Sequence, residues 1–381
     1  MASARKLPSG KWQGRYVDSS GAHRTAGVWP TEKAALGKAQ SAEDEDRINP
    51  TSAESQRITW GEWEPRWAAG RRVGEGTKKR DESRLRTHVR PKWSKVKLNA
   101  ITGHGVEVWL RELEDSGLSS STTIKCFHLL SSSLRAAEHA RLITRSPCRG
   151  VRLPKDGETV DRFLTDDEIS EILFELDPRD AFVVEILLGT GMRLGEGLAL
   201  HWESVDLVRR TVTVSRSWDA VGGSMKPPKS WQNRVIPISR TLASALDAEL
   251  RRHGPGVPAT VPYDRKVEAR SGLVIRPIRG TSPLDGARLR GRWDNAFESA
   301  NARLSAADRP TIPPARLHDL RHTYASRLVQ GGVPILAVKD LLGHQSVVTT
   351  QRYSHLASTQ WDSIRAVLGD APARRAKKRA N

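Results

Sequence analysis

The sequence predicts a multidomain, mainly α protein with small β elements. It divides into a small N-terminal β-sheet/helix module over 1–50, a helical domain over 57–150 and an α+β domain over 160–370. Three observations predict this. At 381 residues the chain is long enough for two or three domains with real cores. Hydrophobic residues make up 37% and charged residues 28%, the balance of a folded globular protein. Helical apolar spacing fills the middle of the chain, whereas period-two runs are short and few.

The formal charge of +18 is out of the ordinary. Such an excess calls for an anionic partner, most commonly nucleic acid, or for a strongly solvated basic surface. No apolar run approaches the ~20 residues of a membrane span, and "MASARKLPSGKW" lacks a signal-peptide core. Cys126 and Cys148 form no metal-ligand pattern and suit free thiols in a reducing cytosol. There is no Walker loop, dinucleotide glycine motif or zinc-type Cys/His spacing, so neither an ATP-driven nor a zinc-driven reaction has support.

In the first module "KWQGRYV" and "HRTAGV" have strand character around the turn "DSSG". "TEKAALGKAQ" follows as a helix capped by Thr31, and "EDED" at 43–46 with "NPTS" at 49–52 marks its end and a linker. Such a module suits either another protein or a sheet laying Arg15, His23 and Arg24 against DNA. From 57 to 150 all is helical. Thr59 caps a helix on which Trp60, Trp63 and Trp67 recur at i, i+3 and i+7, a core face before it is a base-stacking platform. The segment "RRVGEGTKKRDESRLRTHVRPKW" carries Lys78, Lys79 and Arg80, and its basic excess favours phosphate contact over a merely solvated face. "SSSTTIKCFHLLSSSLRAAEHARLI" is one further helix, and "SPCRGVRLPKDGETV" an extended linker.

The third domain opens with Asp166, Asp167 and Glu168 in a first helical turn, where the helix dipole favours carboxylates. "AFVVEILLGTGMRLGEGLAL" is a helix, a Gly-Thr-Gly break and a second helix. "RTVTVS" and "RVIPI" are strands joined through "GGSMKPPKSWQN". Within 254–315 only a short helix near "RLRGRWDNAFESAN" is legible. The tail 371–381 is basic, low in complexity and expected to be disordered.

In "RLHDLRHTYASRL", His318 and Arg321 share a helix face. Leu317, Leu320, Tyr324 and Leu328 mark a neighbouring apolar stripe that places Tyr324 on the buried side. Tyr353 has only Leu356 to draw it into such a stripe, and taken alone it is better read as a packed or surface tyrosine.

Four separated segments resemble the tyrosine recombinase (phage integrase) family. "GTGMRLGEGLAL" is similar to its first-arginine motif, "PPKSWQNRVIPI" to its lysine-bearing β-hairpin, "HDLRH" to its His-x-x-Arg motif, and "LLGHQSVVTTQRYSH" to its closing Gly-His…Tyr motif. A lone His-x-x-Arg occurs by chance; all four in order are a strong signal. The resemblance covers most of 160–360 and fits 254–315 poorly. It implies catalytic roles for Arg193, Lys229, His318, Arg321 and His344, with Tyr353 as a nucleophile that reaches DNA and not a core. It implies that 160–370 is a catalytic domain of the tyrosine recombinase type, that 57–150 binds core-site DNA, and that 1–50 binds arm-type sites.

The chemistry asks for these residue types independently. Breaking a phosphodiester reversibly without ATP requires a covalent intermediate, which a tyrosine hydroxyl can supply. A phenol titrates at about 10, so it needs a base or cationic surroundings. Two guanidinium forks suit a scissile phosphate, and the helix beginning at Arg193 would add backbone N–H groups. His318 and His344 can donate to phosphate oxygens or exchange protons with Tyr353. Lys229 can protonate the departing 5′ oxygen, with Lys226 as a rival outside the "K-S…R-x-I-P" context. Glu196, one turn beyond Arg193, either orients that arginine or is a surface carboxylate. His201, His322 and His355 are read as structural.

The expected activity is site-specific DNA recombination through a 3′-phosphotyrosine, integrating or excising phage or mobile-element DNA without metal or cofactor. The implied partners are double-stranded DNA at core and arm-type sites, further copies forming a tetramer on DNA, a host DNA-bending protein and an excision factor. The implied location is the bacterial cytoplasm, at the nucleoid and not a membrane. Two alternatives are topoisomerase IB-like DNA relaxation and a non-catalytic DNA-binding regulator on a recombinase scaffold.

Overall fold

The computed structural model describes residues 1–18, 21–48, 57–155, 161–277 and 280–356, and the expected linker at 49–52 and tail at 371–381 lie outside them. The chain divides into two compact units, Met1–Thr159 and Val160–Asn381. Among the described residues no helix is long and apolar enough to cross a membrane.

The first unit begins with an antiparallel sheet of Ser3–Lys6, Trp12–Val17 and His23–Trp29, in that order, against the helix Glu32–Ile48. Thr31 Oγ1 accepts the Ala34 N–H at the start of that helix, as expected of a cap. Gly14 is required because a Cβ there would run into the Ala35 carbonyl. Two expectations are corrected. Ser3–Lys6 adds a third strand, since a lone hairpin has too little to bury. The helix also continues through 43–46, where Glu43 takes both the Met1 amino group and the Ala2 N–H.

The helices Trp60–Ala69, Glu75–Arg84, Gly103–Asp115 and Ser120–His139 follow. Thr59 forms a reciprocal capping box with Glu62. Trp60, Trp63 and Trp67 are buried, and the first two indoles donate to Ser133 Oγ and Ser133 O, each at 2.8 Å. A π turn, Leu85–Val89, links Glu75–Arg84 to Arg90–Trp93. Pro91 explains it: lacking an N–H and crowding the preceding turn, it widens the helix locally.

In the second unit Thr165 caps the helix Asp166–Phe174, again with a capping box. Pro178–Thr190 ends at Gly191, whose φ is 61°. The three-stranded sheet Val205–Asp206, Thr211–Val214 and Arg234–Pro237 is antiparallel, and a smaller hairpin, Ser217–Asp219 with Ser224–Lys226, is inserted before its last strand. The helices Arg240–His253, Asp319–Gln330 and Ile335–Leu342 complete the frame around the site.

The stretch left unorganised at 254–315 is integral to this unit. Its helix Gly286–Ala306 has 21 residues and buries Leu289, Trp293, Ala296, Ala300 and Leu304 in the main core. The preceding loop contributes Ala259, Val267 and Leu273 to a small cluster with Ala199 and Met225. Arginines and small residues between the apolar positions hide this pattern from periodicity.

Candidate active site

Gly191 reverses the chain after Pro178–Thr190 and delivers Arg193 to the mouth of the site. A Cβ at Gly191 would fall inside the Tyr324 ring, so only glycine permits both the turn and the packing. Arg193 begins a helix of a single turn, Leu194–Gly197. Its backbone N–H donates to Glu196 Oε2 at 2.9 Å and its Nη1 to Oε1 at 3.0 Å. The expected N–H groups for an anion are therefore not on offer at Arg193, because Glu196 takes that donor. Glu196 is no surface carboxylate; it is 2% exposed. Burial opposes its charge, but Arg234 first and Arg193 second hold it below the usual carboxylate range.

Arg321 lies on the buried side of Asp319–Gln330 and donates to Gly191 O and Leu342 O, each at 2.6 Å. Burial, then the nearby Arg193 charge, lowers its pKa. It stays ionised at neutral pH, since a guanidinium has far to fall. The charges of Arg193, Glu196, Arg234 and Tyr353 all act upon it. Burial, then Arg321 and Arg193, push His344 down to about 3, and its Nδ1 lies 2.8 Å from Thr350 Oγ1. His318, exposed at the start of its helix, meets His322 edge to face with ring centroids 5.2 Å apart. Poor hydration of its ring, followed by His322 and Arg321, pushes it down to about 4.

Tyr353 is 1% exposed and belongs to the main core. The expectation that it avoids a core is corrected. The short helix Val348–Gln351 turns the segment back, so that Phe163 and Asp319–Gln330 cover the ring, neither of which is near it in sequence. Its hydroxyl lies 2.6 Å from His322 Nδ1. Burial, then Asp161, pushes the phenol up to about 12. His322 is thus more than structural filling, whereas His201 fits its structural reading, bonded to Ala199 O and Tyr263 Oη. Tyr324 is buried as expected.

Arg193, Glu196, His318, Arg321, His344 and Tyr353 therefore converge. Lys229 does not join them. It is exposed on the loop between Ser224–Lys226 and Arg234–Pro237, with no ion pair or hydrogen bond among the described residues. Lys226 is occupied, 2.7 Å from Asp219. Three residues escaped the sequence reading: Arg234, Asp161 and Arg352. The last two pair at 3.2 Å beside His322. Only Arg234 had a signal, as the arginine of "R-x-I-P".

The candidate DNA contacts fare unevenly. Lys78, Lys79 and Arg80 are exposed on one helix, with Lys78 3.7 Å from Glu75. Arg15 pairs with Thr25 on the sheet face away from the helix, as does His23 opposite Val17. Arg24 is opposite Tyr16 on the other face and its Nε binds Asp18 at 2.8 Å. A single DNA-facing surface carrying all three is corrected by this alternation.

The model of the phage integrase family matches residues 162–360. The integrase of Salmonella phage P22 is 28% identical over 243 residues, which is 62% of this chain and 55% of that protein. The match thus spans about half the length of that relative. Tyrosine recombinase XerC of Bacillus subtilis is 29% identical over 259 residues, 66% of this chain and 75% of that one. The Tn1549 transposon integrase, solved in complex with a circular intermediate DNA, superposes with a TM-score of 0.68 at 20% identity, over 82% of this chain and 99% of that one. Its likeness is one of fold. The chain belongs to the phage integrase family. Within it, the chain is a tyrosine-type site-specific recombinase.

Proposed function

We propose that the protein cuts and rejoins DNA through Tyr353, with Arg193 and Arg321 holding the scissile phosphate. The Tyr353 oxygen bonds to phosphorus, the bond to the 5′ oxygen breaks, and the 3′ end remains on the protein. The phenolic proton passes to an imidazole of the site, His344 or His318, whose basicity the arriving phosphate restores by offsetting the arginine charges that depress it. Lys229, free on its loop, swings in and protonates the leaving oxygen. A 5′ hydroxyl from a partner duplex then reverses the step, conserving the bond without ATP.

The observation that carries this reading is the gathering of Arg193, His318, His344 and Tyr353 around the Arg321 guanidinium. Tyr353 must first leave His322, and its departure must also uncover Arg321, since neither buried side chain can meet a phosphate where it lies. Exchange between two duplexes cuts four strands, one tyrosine for each, which supports a tetramer on DNA. The exposed run Lys78–Arg80 supports core-site contact by 57–150, and Arg15 supports arm-type contact by 1–50. Integration and excision of phage or mobile-element DNA in a bacterial cytoplasm, at the nucleoid, with a host bending protein and an excision factor, complete the proposal.

The test is a nicked suicide substrate carrying a candidate attachment site. Wild-type protein should accumulate a covalent adduct whose modified peptide contains Tyr353. Tyr353→Phe should bind the same DNA and form none. An adduct of normal yield in that variant, or none with wild type, overturns the proposal.

A further inference from the structure

Arg234 sits where three parts of the site meet. It opens the strand Arg234–Pro237, five residues beyond Lys229. Its Nη2 and Nη1 bind the two Glu196 oxygens at 2.6 and 3.3 Å, and its Nε donates to Leu341 O at 2.7 Å. Leu341 lies just before left-handed Gly343, the turn that launches His344. A Cβ on Gly343 would come within 3.0 Å of Arg234 Nη1, so the turn is shaped around this guanidinium. The Arg234 side chain is 8% exposed, that of Arg193 29%. Of the two cations on Glu196, one is sealed in and the other faces outward.

We infer that Arg234 is a positioning residue: it neutralises Glu196 permanently, so that Arg193 is aimed by that carboxylate without being captured by it. A buried carboxylate with a single cationic partner holds it tightly, because parting them leaves an unpaired charge in a poor solvent. With Arg234 as a second, bidentate partner, Glu196 can lend Arg193 to a phosphate and still be compensated. The inference rests on the reaction proposed above and concerns how its first arginine is made available.

Single-turnover cleavage on the suicide substrate tests it, alongside DNA affinity. In Arg234→Gln the rate should fall about a hundredfold, the scale of an ångström of misplacement, while affinity changes less than about threefold. Because the single variant strands a buried charge and can fail to fold, the deciding comparison is Glu196→Gln with and without Arg234→Gln. With no carboxylate to neutralise, adding Arg234→Gln should change cleavage by less than about threefold. Where the single variant folds, the charge-balanced double variant should also cleave at least about tenfold faster than it. A large further loss in the Glu196→Gln background, or a folded Arg234→Gln variant cleaving at the wild-type rate, overturns the inference. Wild-type adduct formation in the same assay keeps this result distinct from the reaction itself: without it the reaction falls, and this inference with it.

Discussion

The Tyr353 hydroxyl lies 2.6 Å from His322 Nδ1, and both residues are buried in the second unit. A core hydroxyl without a partner is costly, and His322 supplies one. Asp161 stands 3.9 Å from the same imidazole nitrogen and is itself paired with Arg352, the neighbour of Tyr353. The hydrogen bond therefore has stability to contribute, and releasing the tyrosine to DNA must overcome it.

His322→Leu should lower the unfolding free energy by about 1 kcal/mol, the net worth of one hydrogen bond, since Arg352 also reaches the Tyr353 hydroxyl. Adding Tyr353→Phe removes a hydroxyl whose bond to the imidazole is already gone, so the double variant should lose less than the sum of the two single losses. A double-mutant cycle by urea denaturation measures the difference. Strict additivity would show that the pair is not coupled in solution.

Gly191→Ala combines a left-handed backbone with a methyl group inside the Tyr324 ring. Overpacking and the unfavourable φ together should cost at least about 2 kcal/mol. The denaturant midpoint reports this directly. Because Arg321 binds the Gly191 carbonyl, cleavage should fall with stability; an unchanged midpoint would mean that the backbone and ring can part cheaply.

Much of this was legible in the sequence, for identifiable reasons. The Trp60, Trp63 and Trp67 stripe and the Thr59 cap are local patterns, and local patterns can be read in a linear string. Arg193, His318, Arg321, His344 and Tyr353 were singled out by motif, and Tyr324 was placed by its helical stripe. What stayed hidden depends on contacts distant along the chain. Tyr353 is covered by Phe163, 190 positions earlier, and Arg234 reaches back to Glu196 and forward to Leu341. The helix Gly286–Ala306 was cut short because its buried face is built from alanines as well as large residues.

The imidazoles and the phenol set opposite ends of the pH profile. His318 and His344 are depressed to about 4 and about 3, below the ~6.5 of an unfolded histidine. Between those values the unfolded chain binds more protons, so stability falls as pH drops from about 6.5 and is unaffected above it. Tyr353 is raised to about 12 from about 10. The folded state then holds the extra proton, and stability falls as pH rises across that interval. In the free protein, NMR of the imidazole ring protons should show both histidines still neutral at pH 6. Titration of either near 6.5 would contradict the charge environment described above.

The two lysines of the connecting loop differ in what they are doing. Lys226 is bound to Asp219 across its hairpin, whereas Lys229 is exposed and unengaged among the described residues. Only an unengaged lysine can swing to a phosphate without first breaking an ion pair. Lys229→Ala should therefore slow cleavage on the order of a hundredfold, the scale of a lost transition-state donor, and Lys226→Ala should change it by less than about threefold. A substrate with sulfur in place of the 5′ bridging oxygen gives a leaving group that departs without a proton. On it, Lys229→Ala should approach the wild-type rate, while Arg193→Ala, whose partner is the phosphate itself, should remain slow. A Lys229→Ala defect that persists undiminished on sulfur would assign that lysine to holding DNA and take the general-acid role from it.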